Sequence, residues 1–273
     1  FNFASNYYLT FQVLQNNTKE INDTNFKYNS LKNFRFDDNK YTALLDGESY
    51  SGSNVYLSFN RNARNWSFYS EYFFQAPTVR RDNGFIQRNN FHQLFMQQEY
   101  NFYPEGKVLR RVNPELNMEI RYDAKGKLKE QFVELNLVTD WTNGIYSSAG
   151  YLPVNNEDYG GIFHKNINRW HFNMEANNLS KFITGGFYYE GGKFIVRFED
   201  PTYVGFGHNL DIWATIKPFD RLRNDINYSY SELSKSAGGE KLFAGYVVSD
   251  KISYQFNKNF FLRVLLQYDL FSR

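Results

Sequence analysis

Few residues of this sequence have the types and spacing that catalysis or metal binding requires. Cysteine is absent, which excludes thiolate nucleophiles and thiolate metal ligands. Ser148, His171 and Asn173 could be combined into a hydrolase triad, but a chain with this many serines offers such combinations by chance. The chain has four histidines, His92, His164, His171 and His208. None of them has metal-ligand spacing to carboxylates or to another histidine. We therefore predict no catalytic residue, no metal site and no cofactor.

Two predicted loops carry charged residues that could bind a ligand. Glu157 and Asp158 could hold Ca²⁺, although two adjacent acids are more typical of a solvated loop. The loop at 76–90 mixes cations with apolar residues, and its candidate contact residues are Arg80, Arg81, Asp82, Phe85 and Arg88. This composition fits a loop that folds inward or docks a partner. It fits equally a surface loop whose arginines contact lipopolysaccharide phosphates.

Alternation of apolar and polar residues is the strongest pattern in the chain. Residues 169–176 read Arg-Trp-His-Phe-Asn-Met-Glu-Ala, and the same period of two recurs at 115–122, 225–230, 251–256 and 260–270. A period of two predicts β-strands whose two faces differ in polarity. The residues predicted to share the charged face, and to line a lumen, include Glu115, Glu119, Arg121, Arg169, His171, Glu175, Arg197, Asp225 and Arg263. Both signs are mixed along this face, which favours local ion pairs over an ion filter.

Polar turns divide the chain at a regular interval. Short turns are predicted at 60–65, 103–106, 141–143, 177–178, 217–220 and 257–259. The mostly longer loops predicted between them are 76–90, 153–167, 199–205 and 232–243, with 123–126 as a short exception. Each interval of roughly 36 to 43 residues holds two strands. With further strands near 5–15 and 39–49, the sequence predicts about 14 antiparallel strands, and 16 or so if the chain is trimmed at both ends as we expect.

The composition favours a membrane-spanning barrel over a soluble sheet. Aromatic residues make up 20% of the chain, yet its mean hydropathy is −0.63. A disordered chain would lack so many rings, and a helical membrane protein would show apolar runs of about 18 residues or more. Aromatic clusters at the predicted strand ends indicate an interfacial girdle. A pair of β-sandwiches or a propeller is the open alternative, although no repeated blade motif is present.

Several short motifs occur in a fixed order along the chain. They are Asp-Asn-Gly-Phe-Ile-Gln-Arg-Asn at 82–89, Phe-Tyr-Pro at 102–104, Leu-Arg-Arg-Val-Asn-Pro at 109–114, Ile-Lys-Pro at 216–218 and Phe-Leu-Arg-Val-Leu-Leu-Gln-Tyr at 261–268. In these motifs the chain from about residue 54 onward resembles an uncharacterised family of Bacteroidota outer-membrane β-barrels. Full-length members of that family often carry an N-terminal family-nine carbohydrate-binding-like module, which this sequence does not contain. The resemblance implies a barrel fold and an outer-membrane location, and it implies no activity.

These observations lead us to expect a single β-barrel domain over residues 1–273 in a bacterial outer membrane. A net charge of +2 gives no argument for a nucleic-acid partner. The expected partners are outer-membrane lipids and lipopolysaccharide, with other outer-membrane proteins and glycans as open alternatives. Three functions fit: a non-enzymatic channel or surface-presentation barrel with a link to glycans, a scaffold subunit with a plugged lumen in a larger outer-membrane complex, and, least favoured, an outer-membrane hydrolase.

Overall fold

The computed structural model describes residues 2–23, 35–42, 44, 46–79 and 89–272. Regular structure in these residues is entirely β-strand, and no helix among them has the length and apolar character needed to cross a membrane. The first eight strands are β1 (Asn2–Ala4), β2 (Tyr7–Lys19), β3 (Arg35–Phe36), β4 (Tyr41–Thr42), β5 (Ser49–Arg61), β6 (Trp66–Gln75), β7 (Phe91–Tyr100) and β8 (Leu109–Tyr122). The next nine are β9 (Leu128–Trp141), β10 (Ile145–Tyr159), β11 (Ile162–His164), β12 (Arg169–Ser180), β13 (Ile183–Val196), β14 (Tyr203–Phe219), β15 (Leu222–Ser234), β16 (Lys241–Gln255) and β17 (Phe261–Ser272).

Fifteen of the described strands belong to one sheet. Its order is β1-β2-β5-β6-β7-β8-β9-β10-β12-β13-β14-β15-β16-β17, with β11 paired to β10, so that strands close in the chain are also neighbours in the sheet. The pairs whose register is described are all antiparallel. The predictions of an all-β antiparallel fold and of about 14 strands are therefore confirmed. Strands β3 and β4 form a separate two-stranded sheet.

Backbone contacts divide the chain into two compact units. The first unit comprises Phe1–Ala63, Ser67–Gln97 and Met118–Gln131. The second comprises Arg64–Trp66, Gln98–Asn117 and Phe132–Arg273. Strands β6, β7, β8 and β9 contribute residues to both units, whereas β10–β17 lie wholly within the second.

Most of the predicted short turns coincide with strand ends, and one does not. β9 ends at Trp141 and β10 begins at Ile145, as the turn at 141–143 predicted. The turn predicted at 177–178 is wrong, because β12 continues to Ser180 and the chain turns at the next two residues. A register shift between Ala176 and Ser180 lets the strand accommodate an irregularity without turning. The backbone N–H of Phe182 donates to Oγ of Ser180 over 3.1 Å and closes the actual turn.

The loop predicted at 153–167 is also wrong over most of its length. β10 runs through Pro153, turns at Gly160 and Gly161, and returns as β11. Both glycines have positive φ, 61° and 84°, which suits a two-residue hairpin turn. Asn155 Nδ2 donates to the carbonyl of Ile167 over 3.1 Å, so a side chain of β10 satisfies a backbone carbonyl beside the strand.

The segment before β5 differs from the strand predicted at 39–49. Among the described residues of that range, β4 is the one complete strand, and β5 begins at Ser49 and pairs with β2 from Lys19 back to Tyr7. Positive φ angles at 37–39 bend the chain into the β3–β4 turn. The rings of Phe36 and Tyr41 then pack against Tyr50 of β5, with centroid distances of 5.5 and 5.1 Å.

Candidate functional site

Cross-strand register gathers polar residues on one face of the sheet in the second unit. His171 of β12 lies opposite Gly150 of β10 and Glu190 of β13, and the row continues to Asn209 and Ser231 on the next two strands. We call this surface, on β10 and β12–β17, the polar face. The predicted lumen residues that it carries are Arg169, His171, Glu175, Asp225 and Arg263.

A glutamate that the sequence analysis missed pairs with His171. Nε2 of His171 lies 3.1 Å from Oε1 of Glu134, and Nδ2 of Asn117 donates to Oε2 of Glu134 over 3.2 Å. Gly150 makes room for this group, because a Cβ there would lie 2.1 Å from both His171 Nε2 and Asn136 Oδ1. The alternation of Glu134 with flanking apolar residues is the signal that could have identified it.

A second polar group centres on Glu190. Nη1 of Arg169 lies 3.4 Å from Oε1 of Glu190, and Nδ2 of Asn209 donates to its Oε2 over 3.2 Å. Oγ of Ser231 donates to Oδ1 of Asn209 over 2.6 Å. Four neighbouring strands, β12 to β15, are thus linked through side chains as well as through the backbone.

The third group centres on Asp225 of β15. Its carboxylate accepts from Nε of Arg223 at 2.8 Å, from Nζ of Lys251 at 3.1 Å and from Oγ1 of Thr215 at 2.7 Å. The Asp225 side chain is 12% exposed, whereas those of Arg223 and Lys251 are 52% and 42% exposed. A largely shielded acid is therefore held by cations that remain in contact with solvent.

Three predicted lumen residues do not belong to any of these three polar groups. Glu175 and Arg263 lie on the polar face without an ion pair among the described residues. The prediction that Arg197 lies on the charged face of a strand is wrong, because β13 ends at Val196 and Arg197 follows it in the loop. There its guanidinium donates twice to Glu157 over 2.9 Å, and this bidentate pair raises the pKa of Arg197.

The predicted residues of β8 fall into the two units. Glu115 belongs to the second unit and lies two residues from Asn117, hence on the same side of the strand. In the first unit, Arg121 pairs with Glu119 over 3.0 Å and with Glu130 over 2.5 Å. Nη2 of Arg121 also donates to Oε1 of Gln93 over 2.9 Å. Arg121 is thus the centre of a network in which every described partner lies in the same unit.

The opposite side of β10 and β12–β17, which we call the apolar face, is rich in rings and aliphatic side chains. Its cross-strand rows include Phe172 with Tyr189, and Phe187 with Ile212 and Tyr228. Large side chains on it stay exposed, including Trp170 at 46% and Ile212 at 45%. A surface of this extent is unusual for a protein that is surrounded by water.

One carboxylate interrupts the apolar face in the middle of its strands. Asp250 lies between Ile226 and Leu266, and its Oδ1 is shielded from solvent without a described hydrogen-bond partner. The diagonal neighbour Asn224 likewise has a shielded Oδ1 without a described partner. The other charged residues on this face lie nearer the strand ends, where Lys241 pairs with Glu232 over 2.8 Å.

In the first unit, the segment after β6 covers the start of β5. Ala76 N–H donates to the carbonyl of Ser53 over 3.0 Å, and Oγ1 of Thr78 donates to the carbonyl of Ser51 over 2.6 Å. A Cβ on Gly52 would lie 2.7 Å from backbone atoms of Thr78 and Val79. The loop at 76–90 therefore begins by folding onto β5. Its predicted contact residues lie outside the described residues, namely Arg80, Arg81, Asp82, Phe85 and Arg88.

The residues considered for catalysis and metal binding have other partners or stay apart. Ser148 and Asn173 are a cross-strand pair on the polar face, but His171 Nε2 is directed to Glu134. Glu157, considered for Ca²⁺, is paired with Arg197. Among the described residues, three carboxylates have ligand atoms within 4.8 Å of one another, those of Glu20, Asp46 and Glu48. Acidic groups with this spacing are common without an ion.

Comparisons with known proteins leave the family of this chain open. No family model matches the sequence, and no curated protein matches it. A solved structure of Salmonella typhi OmpF in complex with daunomycin aligns with 96% of this chain and 89% of its own, at 13% identity and a TM-score of 0.39. Similarity at this level carries no argument about function.

Proposed function

We propose that this chain is a transmembrane β-barrel protein of a bacterial outer membrane, with the polar face lining water and the apolar face contacting lipid. The observation that carries the proposal is the separation of the two faces over β10 and β12–β17. Acyl chains cannot solvate charge, so the face with the groups of Glu134, Glu190 and Asp225 would face inward. The exposed rings and aliphatic side chains would face outward.

The lengths of the strands also support a barrel that crosses a bilayer. The strands from β5 onward, apart from the short β11, contain 10 to 17 residues each. Strands of about 9 to 11 residues, tilted at about 45°, are sufficient to cross the apolar core of a bilayer. The closed barrel is part of the proposal, since a sheet edge left unpaired in lipid would expose backbone polar groups.

The function that we favour is a non-enzymatic channel for small polar solutes. Acids and bases are paired within the groups of Glu190 and Asp225, so these groups offer no uniform field to select one charge. A link to glycans and membership of the Bacteroidota family depend on the motif resemblance alone and remain predictions.

Reconstitution tests the channel proposal directly. The purified chain, refolded into planar bilayers, is expected to give discrete conductance steps with weak selectivity between cations and anions. A refolded sample with retained β-structure that gives no conductance would contradict an open lumen. Fractionation of the native host is expected to place the protein in the outer membrane, and its recovery in a soluble fraction would contradict the proposal as a whole.

A second candidate is a scaffold subunit whose lumen is plugged. It is favoured by the covering of β5 in the first unit, where Thr78 and Val79 lie against Gly52. This reading predicts co-purification with other outer-membrane proteins at fixed stoichiometry, and a clean monomer in mild detergent would count against it.

Substitution of Gly52 separates the two candidates. Gly52→Ala would place a Cβ in backbone of the 76–79 segment, which cannot move aside as a flexible side chain could. We expect a loss of about 1 to 3 kcal/mol in the free energy of unfolding. A plugged lumen also predicts higher conductance in this variant. Gly106→Ala is the matched control, because no atom lies within 4 Å of the added Cβ.

A further inference from the structure

A cleft of about 600 Å³ lies at the short-turn end of the sheet in the second unit. It is formed by the β12–β13 and β14–β15 turns together with the ends of β16 and β17. Backbone hydrogen bonds fix these pieces, since Lys217 N–H donates to Phe182 over 2.7 Å and Gln255 N–H donates to Arg221 over 2.8 Å. The walls of the cleft are therefore held in place by paired strands and their tight turns.

Cations dominate the lining of this cleft. Its basic residues are Lys181, Lys217, Arg221, Arg223 and Arg263, and Asp220 is the acid among the described lining residues. Arg223 is engaged by Asp225. The other four cations have no ion pair among the residues that the structure describes. Unpaired cations brought together from several strands repel one another, and an anion between them would relieve that repulsion.

Aromatic rings form the rest of the wall. Phe182, Phe219 and Phe261 line the cleft and are 46%, 51% and 60% exposed. Arg263 lies over the ring of Phe261, with Cζ 5.6 Å from the centroid, and Lys181 lies 5.7 Å from the centroid of Phe182. The cleft thus presents apolar surface directly beside positive charge.

We propose that this cleft binds a phosphate-bearing amphiphile, with the phosphate between the cations and the apolar part against the rings. A tetrahedral phosphate has oxygens in several directions, which matches cations that approach from two turns and from β17. Guanidinium groups suit phosphate recognition because their planar donors can contact two oxygens at once. A carboxylate would engage only part of this set.

Two sources can supply this chemistry, a phospholipid headgroup or a soluble phosphate ester. The lipid source rests on the proposed function, because short turns of outer-membrane barrels lie at the periplasmic rim. Arg263 lies on the polar face, so a phospholipid headgroup would have to reach it across this rim. The soluble source does not depend on membrane location. Binding of inorganic phosphate in detergent therefore tests the cleft even if the barrel proposal fails.

The test compares the full chain with the double variant Lys217→Ser/Arg221→Ser and with the control Lys258→Ser. Lys258 lies in the turn between β16 and β17 and does not line the cleft. One arm measures phosphatidylglycerol retained in mixed micelles by native mass spectrometry, and the other titrates inorganic phosphate by calorimetry. The double variant is expected to bind about tenfold more weakly, since hydrogen bonds to a charged group are lost.

Each outcome decides the proposal. Weaker lipid retention in the double variant alone, with the control unchanged, supports the site and assigns the lipid source. Loss of phosphate binding with unchanged lipid retention supports the site and assigns the soluble source. Equal binding of both probes by the parent, the double variant and the control would overturn the proposal, as would failure of the parent to bind either. Circular dichroism of each variant is the control that its strands are retained.

Discussion

The polar and apolar faces of the second unit place the same residue type in opposite surroundings. Asp225 of β15 has two cations and a hydroxyl as partners on the polar face. Asp250 of β16 lies on the apolar face between Ile226 and Leu266, with a shielded oxygen that has no described partner. The comparison teaches that the face of a strand, more than the residue type, decides whether a carboxylate stabilises the sheet.

The largest expected effect comes from placing a charge on the apolar face. Ile212 lies there opposite Phe187 and Tyr228 and is 45% exposed. If lipid surrounds this face, Ile212→Lys should lower the free energy of unfolding from vesicles by about 2 to 4 kcal/mol. Asn227→Lys on the polar face is the matched control and should change it by less than about 0.5 kcal/mol. Equal, small changes for both variants would mean that water contacts both faces.

Removal of Asp225 should have the next largest effect. Asp225→Ala leaves Arg223 and Lys251 without their shared carboxylate and takes away the acceptor of Thr215. We expect a loss of about 1 to 2 kcal/mol in the free energy of unfolding, since the two cations are half exposed and water screens them. Urea titration of the refolded protein measures this, and an unchanged midpoint would show that the group contributes nothing.

Replacement of Asp250 should raise the free energy of unfolding, whereas replacement of Asp225 should lower it. Asp250→Leu replaces a carboxylate that has no described partner by a side chain that matches Ile226 and Leu266. The free energy of unfolding is expected to rise by about 1 kcal/mol in the same titration. A decrease would show that Asp250 has a stabilising role on the apolar face, and the contrast with Asp225 would then be wrong.

The alternation of polar and apolar residues was sufficient to predict most of the strands and which of their residues share a face. It is regular over 169–176 of β12, 225–230 of β15 and 251–255 of β16, where the backbone period of two decides which residues share a face. For that reason Arg169, His171 and Asp225 could be assigned to one face before any contact was known. Their partners on other strands could not, because register across a sheet is absent from a single strand's pattern.

The errors arise where a residue of turn type is used inside or beside a strand. The predicted loop began at Pro153, yet Asn168 Nδ2 donates to the Pro153 carbonyl over 2.7 Å and the strand continues. The covering of Gly52 by Thr78 and Val79 was equally unpredictable from sequence. It depends on a contact between distant backbone segments, and no residue pattern encodes such a contact.

Solvent accessibility along a single strand tests the central claim most directly. The chain has no cysteine, so single cysteines can be introduced at 209, 210, 211 and 212 of β14 and spin-labelled in vesicles. We predict that a water-soluble nickel relaxation agent reaches labels at 209 and 211, and that oxygen dissolved in lipid reaches those at 210 and 212. Labels at 210 and 212 that neither reagent reaches would place the apolar face in a dry protein interior and contradict the account.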